Sequence, residues 1–557
     1  MNIQILDNGN QKHAELLKKK IAERISSVNS GVELKIALAM DASIGAEESY
    51  NIEFGNETWK ITGTDEIGLF HGIGKFLHTA KWDKDGFAPN PPKGVQEPDC
   101  SYRAMYYSVH FYNWYHMCSI EELKEYTEEM LLWGYNAIVC IIPLLNLNSC
   151  DEPAFFAAVD KVRSIFAMCK EIGMKIGIII NPNQGLKTTP DELLADYGCY
   201  DDRPGGSAGK NICQEIPGAL EYLKYLWVMM FKRFMDMPLD YVLTWPYDEG
   251  GCGCKDCAPW GAKGYPKIVI ETIKEAKKFY PNAKTIVSTW FFDDPVNTGE
   301  YEGFYERLKT DLSHIDYIMV DGHGMFPRYP LQHDVIKPIV NFPEISMYGV
   351  TPWGGRGANP LPKRFQAIWD ESKQILSGGM PYSEGKYEDI LKIQFVGYYW
   401  DKDRHYSDIL AEYINYYYSA DVVDEVVEMM ELIEKNHVGV HGKNEPDLDA
   451  ARRAYELALS VDAKLSEEVK ASWRWRILFI RARVDVVLYE YYDEKGRYDE
   501  DAITWLRRTK AEWLDDNEEI QDLYQELCSY YHCVSENGEN RYTRPRVKDG
   551  IVKPWRK

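Results

Sequence analysis

The feature that most constrains this chain is an alternation. Between residues 101 and 403, short apolar runs give way to amphipathic helical patterns eight times. The runs are Tyr102–Val109, Asn136–Ile142, Lys175–Ile180, Tyr241–Trp245, Thr285–Trp290, Tyr317–Val320, Ile345–Val350 and Gly379–Tyr382. Stretches such as Ile120–Trp133, Ala154–Ile172, Ala219–Met235, Ile268–Phe279 and Arg364–Leu376 lie between them at helical spacing. Eight β-then-α units over about 300 residues fit a closed (β/α)8 barrel better than an open doubly wound sheet, although the eighth run is weak. Several connections are long and rich in Gly, Pro, Trp and acids, and in such a barrel the loops at the carboxyl ends of the strands build the active face.

The flanks read differently. Residues 1–95 form a small α+β unit: Val32–Ala39 and Tyr50–Ile61 alternate like strands, and Thr64–Leu77 opens on a capping signal and continues as a helix. Gly72 and Gly74 sit inside that helical pattern, which argues against a nucleotide-binding loop. A Pro/Gly-rich stretch at 87–99 separates this unit from the barrel. Residues 404–557 read as a helical C-terminal domain: the pattern is helical to Cys533, with Ala450–Leu465 and Val469–Tyr491 carrying long apolar stripes, and the tail Asn537–Lys557 is basic and polar. That region is large and apolar enough to support a homodimer.

Charge narrows the partners. Lys and Arg total 64 against 87 Asp and Glu, a net charge of −23, which argues against a nucleic-acid backbone as partner. No stretch has the roughly 18–20 consecutive apolar residues that span a bilayer, so no membrane partner is expected. The N-terminus reaches charge before any apolar run and lacks a signal-peptide layout, which points to the cytoplasm or to a chain whose signal has been removed.

The sharpest local signal is TWPYDEGGCGCKDC at 244–257. Asp248 and Glu249 fall just past the fourth strand, beside Trp245 and Tyr247. Two adjacent carboxylates in different surroundings can divide acid and base work, because burial and mutual charge push their pKa values apart. Further carboxylates near strand ends are Glu384, Asp321, Asp293 and Asp294. Trp114, Trp245, Trp290 and Trp353, with Tyr247 and Tyr382, offer flat faces with polar edges that suit sugar rings. His110, Asn113, His323, Arg328 and Arg356 lie in the same loops, and Arg356 is suited to a bidentate grip on a sugar carboxylate. No GxSxG, HExxH or Walker sequence occurs.

Taken with GTDEIGLFHGIGKFL (63–77), YRAMYYSV (102–109) and YYWDKDRHYSDILAEYINYYYS (398–419), this Asp-Glu pair resembles the glycoside hydrolases of the β-N-acetylhexosaminidase superfamily. The α-glucuronidase-like group shares that architecture. The resemblance implies an N-terminal α+β domain, a catalytic barrel and a helical C-terminal domain. It also implies that a glycan is cut at its non-reducing end, without a catalytic cofactor. It casts Glu249 as general acid, and Asp248 as the residue that orients a substrate 2-acetamido group. In the alternative mechanism a second carboxylate, Glu384 first, acts as nucleophile or base. A carbohydrate-binding barrel without catalysis is the competing class.

Cys252, Cys254 and Cys257 make C-x-C-x-x-C directly after the acids. Tetrahedral zinc takes four Cys or His ligands, and Cys213 in the preceding connection is the expected fourth, with Cys199 in reserve. Such a closed shell would brace the acid-bearing loop and would not activate water.

Overall fold

The computed structural model describes residues 2–25, 33–83, 86–109, 113–144, 147–195, 210–246, 251–293, 298–320, 325–345, 358–383, 385–436 and 447–495, with short pieces beyond. The chain opens with β1 (Asn2–Leu6), a helix (Gln11–Ile25), β2 (Glu33–Met40), β3 (Tyr50–Gly55) and β4 (Thr58–Gly63). After a second helix (Glu66–His78) come β5 (Lys81–Asp83), β6 (Gly86–Ala88) and β7 (Val95–Gln96). The main sheet runs β1-β2-β4-β3-β7. The single strand expected over 50–61 is a hairpin, because Asn56 and Glu57 both turn at positive φ (51° and 59°). A two-residue turn of that hand matches the twist of its strands and leaves the alternation of side chains unbroken.

Asp65 caps the helix Glu66–His78 by accepting from the Gly68 amide. Gly74 in that helix packs so tightly on the helix Ile120–Trp133 that a Cβ there would lie 1.8 Å from the Leu132 carbonyl oxygen. Close approach of two helices is what this glycine provides.

Eight parallel strands then close a barrel: β8 (Tyr102–Tyr107), β9 (Ala137–Ile141), β10 (Lys175–Ile180), β11 (Tyr241–Thr244), β12 (Lys284–Ser288), β13 (Tyr317–Val320), β14 (Ile339–Asn341) and β15 (Leu376–Gly379). Each pairs with its neighbours in chain order, and β15 returns to β8. The first six strands coincide with expected runs. The seventh does not: it lies at Ile339–Asn341, paired with β13, ahead of the run expected at 345–350, of which 346–350 lie outside the described residues. Three residues after Pro338 suffice for the pairing, a run too short to stand out. The eighth begins three residues earlier than expected, and its weakness in sequence has a steric cause. A Cβ on Gly378 (φ 131°) would sit 1.8 Å from the Tyr102 carbonyl oxygen, and one on Gly379 equally near Asn341 Oδ1.

Alternate residues fill the lumen. Tyr102, Tyr241 and Tyr317 meet at its lower end, with ring centroids 5.0 and 6.0 Å from Tyr102. Beneath them Arg103, fully buried, pairs with Glu48 of the N-terminal unit and donates to the carbonyls of Gly134 and Cys100 at 2.7 Å. Asn136 Nδ2 adds a bond to the same carboxylate at 2.8 Å.

Beyond the barrel run helices at Asp389–Trp400, Tyr406–Tyr417, Val423–Lys435, Leu448–Lys464 and Trp473–Lys495. Two arginines of the last helix reach back. Arg474 Nε donates to the buried Asp389 at 2.8 Å, and Arg481 Nη1 donates to the Ala358 carbonyl at 2.9 Å. Among the described residues no helix is long and apolar enough to cross a membrane.

Candidate active site

At the carboxyl ends of the strands the lumen becomes a chain of rings. Trp245, one residue past β11, is fixed by its amide to the Ile180 carbonyl at 3.0 Å. Its half-buried indole lies 5.4 Å from Trp290 and 4.9 Å edge-on from Phe342. Phe342 meets Tyr382 at 5.7 Å, and Tyr382 meets Tyr106 at 5.4 Å. Five strand ends (β12, β11, β14, β15 and β8) thus contribute one aromatic each. Trp245 carries the largest accessible share, since the other four are less than 9% exposed. Such a surface presents apolar faces with N–H and O–H edges, which is how aromatic side chains receive the C–H face of a sugar.

Of the aromatics singled out in the sequence, Trp245, Trp290 and Tyr382 lie in this chain of rings. Tyr106 and Phe342 were missed. Tyr106 follows Tyr102 and Ala104 at the inward-facing period of two, a readable signal; Phe342 directly follows a strand sought elsewhere. Trp114 stands apart from this group. It is fully buried against Tyr115 and Tyr126, so it is a core residue and presents no platform. Asn113 is committed to structure too: it accepts from the His116 amide and donates to Ser108 O and Oγ at 2.7 and 2.6 Å. Arg328 is exposed and paired with Glu371, and Asp293 is exposed.

His110, Tyr247, Asp248, Glu249, Asp294, Asp321, His323, Trp353, Arg356 and Glu384 lie outside the described residues, as does Cys199. The described residues that flank 247–250 are well anchored. Before the acid pair, the Pro246 carbonyl accepts from Trp260 Nε1 at 2.7 Å. After it, Gly251 is held by the fully buried Asn183: Gly251 N donates to Oδ1 at 3.1 Å and Nδ2 donates to Gly251 O at 2.9 Å.

Glu384 is flanked as firmly. The Ser383 carbonyl accepts from Ser108 Oγ at 3.0 Å, and Glu388 Oε2 accepts from Ser383 Oγ and the Gly385 amide, both at 3.1 Å. Lys392 Nζ, wholly buried, donates to the Gly385 carbonyl at 2.5 Å and to Tyr115 Oη at 2.8 Å. Burial pushes its pKa down to about 8 against the pull of Glu388 and Asp389. The strands before the two acids, β11 and β15, stand four places apart in a ring of eight and so on opposite walls.

Next to the acid-bearing segment four cysteines converge. The Sγ atoms of Cys213, Cys252, Cys254 and Cys257 all lie within 4.8 Å of one another: three cysteines grouped by their spacing and a fourth from the preceding connection. Cys213 Sγ is 3.8 Å from that of Cys254 and 4.0 Å from that of Cys257. Hydrogen bonds from the Cys252 and Cys257 thiols pull Cys213 down to about 4, while Cys257 moves the other way. A cluster of this kind can hold a metal ion.

No protein-family model and no curated protein matches the chain. Solved structures do. A family 89 glycoside hydrolase from Clostridium perfringens, in complex with its substrate GlcNAc-alpha-1,4-galactose, superposes with a TM-score of 0.60 at 12% identity over 93% of this chain. This chain spans only 65% of that enzyme's length. BtGH115A, a family 115 4-O-methyl-alpha-glucuronidase with specificity for decorated arabinogalactans, matches with a TM-score of 0.60 at 11% identity, covering 97% of this chain and 78% of that one. A family 138 glycoside hydrolase targeting pectin rhamnogalacturonan II gives 0.54 at 12% identity over 95% of this chain and 73% of that one. The likeness is one of fold: the chain shares the barrel and flanking units of these glycoside hydrolases.

Proposed function

We propose that this protein is a glycoside hydrolase that removes a terminal sugar from a glycan, with Glu249 as general acid. The observation that carries the reading is the double anchor at Pro246 and Gly251. It fixes the two described residues that bracket Asp248 and Glu249 in the chain, and the first of them directly follows Trp245, the most accessible ring of the aromatic mouth. A sugar stacked on Trp245 would bring its glycosidic oxygen toward this segment. Glu249 would protonate the leaving oxygen, and Asp248 would hold the substrate's 2-acetamido group as internal nucleophile, the hexosaminidase-like route. Glu384, after the opposite strand and between two immobilised neighbours, is the second carboxylate where no such group exists. No cofactor enters this chemistry; the four cysteines would hold zinc outside the chemical step.

A second reading, an α-glucuronidase-like enzyme acting on an acidic sugar, is favoured by the superposition on BtGH115A across nearly the whole chain. Arg356 would then grip the sugar carboxylate.

Aryl glycosides of N-acetylglucosamine, N-acetylgalactosamine, glucuronic acid, galactose and mannose separate these readings when wild type is compared with Glu249→Gln. General-acid catalysis contributes about 10²- to 10⁴-fold, so the variant loses that much on poor leaving groups and far less on dinitrophenolates, which leave without a proton. Equal loss on both would overturn the acid role. Turnover confined to the glucuronide selects the second reading. Sugar-dependent stabilisation without turnover of any substrate selects the binding barrel.

A further inference from the structure

We infer that Cys213, Cys252, Cys254 and Cys257 form a structural zinc site that ties the segment after β11 to the segment after β10. Four zinc–sulfur bonds of about 2.3 Å set tetrahedral sulfur–sulfur edges of roughly 3.8 Å. The observed separations of 3.8 and 4.0 Å, within a 4.8 Å envelope, have that size. They are twice the roughly 2 Å of a disulfide. The space suits one ion, and a shell of soft thiolates selects zinc or iron over magnesium or calcium, which take oxygen ligands. Because the chain supplies all four ligands, no position is left for water, and the ion holds structure without doing chemistry.

The backbone around the cluster is shaped for this task. The amides of Cys257 and Ala258 both donate to the Cys254 carbonyl, at 3.0 and 2.9 Å, wrapping 254–257 into a tight turn around the sulfurs. On the other segment the Cys213 amide donates to the Leu193 carbonyl at 3.0 Å, which sets Cys213 Sγ facing that turn. Asn183 bridges the two: its Nδ2 reaches the Ile212 carbonyl at 3.2 Å as well as Gly251. Cys252 follows Gly251 directly and Cys213 follows Ile212, so the ion and the Asn183 amide cross-link the same two segments one residue apart. Asn183 is thus a positioning residue, and the ion fixes the exit of the segment that carries Glu249. Only this last consequence rests on the reading of Glu249 as the acid.

Metal analysis of the full chain, expressed in zinc-supplemented medium and purified without chelator, tests the site. One zinc per chain is expected in wild type and in Cys254→His, which keeps a zinc ligand, and none in Cys254→Ala. Cys254 is half-exposed, so both variants should fold; unchanged helical circular dichroism verifies it. Cobalt exchanged into the protein should show the visible bands of a tetrahedral ion with thiolate charge transfer. No metal in folded wild type, with the four cluster thiols free, would overturn the site, and stoichiometric iron would overturn the choice of zinc. Hydrogen exchange tests the tie: the Gly251 amide should exchange at least tenfold faster in Cys254→Ala than in Cys254→His. Equal protection would refute it. None of these readouts uses turnover, so failure of the glycosidase reading leaves the zinc site standing, and the reverse.

Discussion

Asn183 and Gly251 exchange two hydrogen bonds, at 3.1 and 2.9 Å, across the gap between the connections that follow β10 and β11. Both residues are buried, so water is kept from replacing these two bonds. Leaving a buried donor or acceptor unpaired costs about 1–3 kcal/mol. Asn183→Ala should therefore lower the urea stability by at least that amount. Asn183→Asp, which keeps the acceptor for the Gly251 amide, should lose less. On the proposed substrate, kcat should fall more than KM rises, because the segment displaced carries the proposed acid and not the proposed stacking ring.

Trp245 and Phe342 touch one another yet should behave differently on truncation. Phe342 is 3% exposed inside the lumen, and emptying such a site costs about 3–5 kcal/mol. Phe342→Ala should show this as a shift of the denaturation midpoint. Trp245→Ala, whose ring is half-buried, should cost less stability than Phe342→Ala and raise KM for a sugar substrate about 3- to 10-fold, the range that a lost aromatic contact of about 0.5–1.5 kcal/mol implies. Intrinsic fluorescence quenched by sugar in wild type and not in Trp245→Ala would provide the direct check.

The Glu48–Arg103 pair sets an acid limit. Burial alone would raise the Glu48 carboxyl, but the charges of Arg103, His71 and Lys175 outweigh it and bring it down to about 2. A carboxyl that ionises more readily in the folded chain than in the unfolded one, where its pKa is about 4.3, stabilises the fold above that value. The contribution is lost as the pH falls from about 4.3 towards 2. Glu48→Gln should flatten stability over this window. At neutral pH it should cost about 3–5 kcal/mol, because a buried guanidinium is left without its counter-charge. Denaturant midpoints measured across the acid range test both.

Arg474 brings a similar test to the opposite end. It donates to Asp389, which is fully buried and also accepts from Tyr126 and Tyr413 at 2.9 Å each. Arg474→Ala strands that carboxylate and should cost about 3–5 kcal/mol. Asp389 lies five residues after Glu384, so a loss of kcat larger than the loss of substrate affinity should accompany it. An unchanged kcat in folded Arg474→Ala would show that the helical region does not support the barrel loop.

Much of this was legible in the sequence because the signals were local. A helix such as Ile120–Trp133, with Ser119 and Glu122 closing a capping box, declares its own ends. Cys252, Cys254 and Cys257 declare a cluster by spacing, and the barrel order supplied Cys213. What stayed hidden depends on contacts between distant segments. Ile339–Asn341 is a strand only because β13 and β15 flank it, and the glycines of β15 follow from the closeness of Tyr102 and Asn341. Asn183 looks like any loop asparagine until the chain brings Gly251 and Ile212 around it.

The seat of Arg103 bears on how the chain can be cut. Its counter-ion comes from the far side of the Pro/Gly-rich connection, and Lys175 on β10 leans on the same Glu48. A fragment starting near residue 100 would keep every barrel strand and yet leave a guanidinium facing the underside with no acid to meet it. The first unit is a plug for the barrel floor, and excising it to obtain a minimal barrel would uncork the molecule.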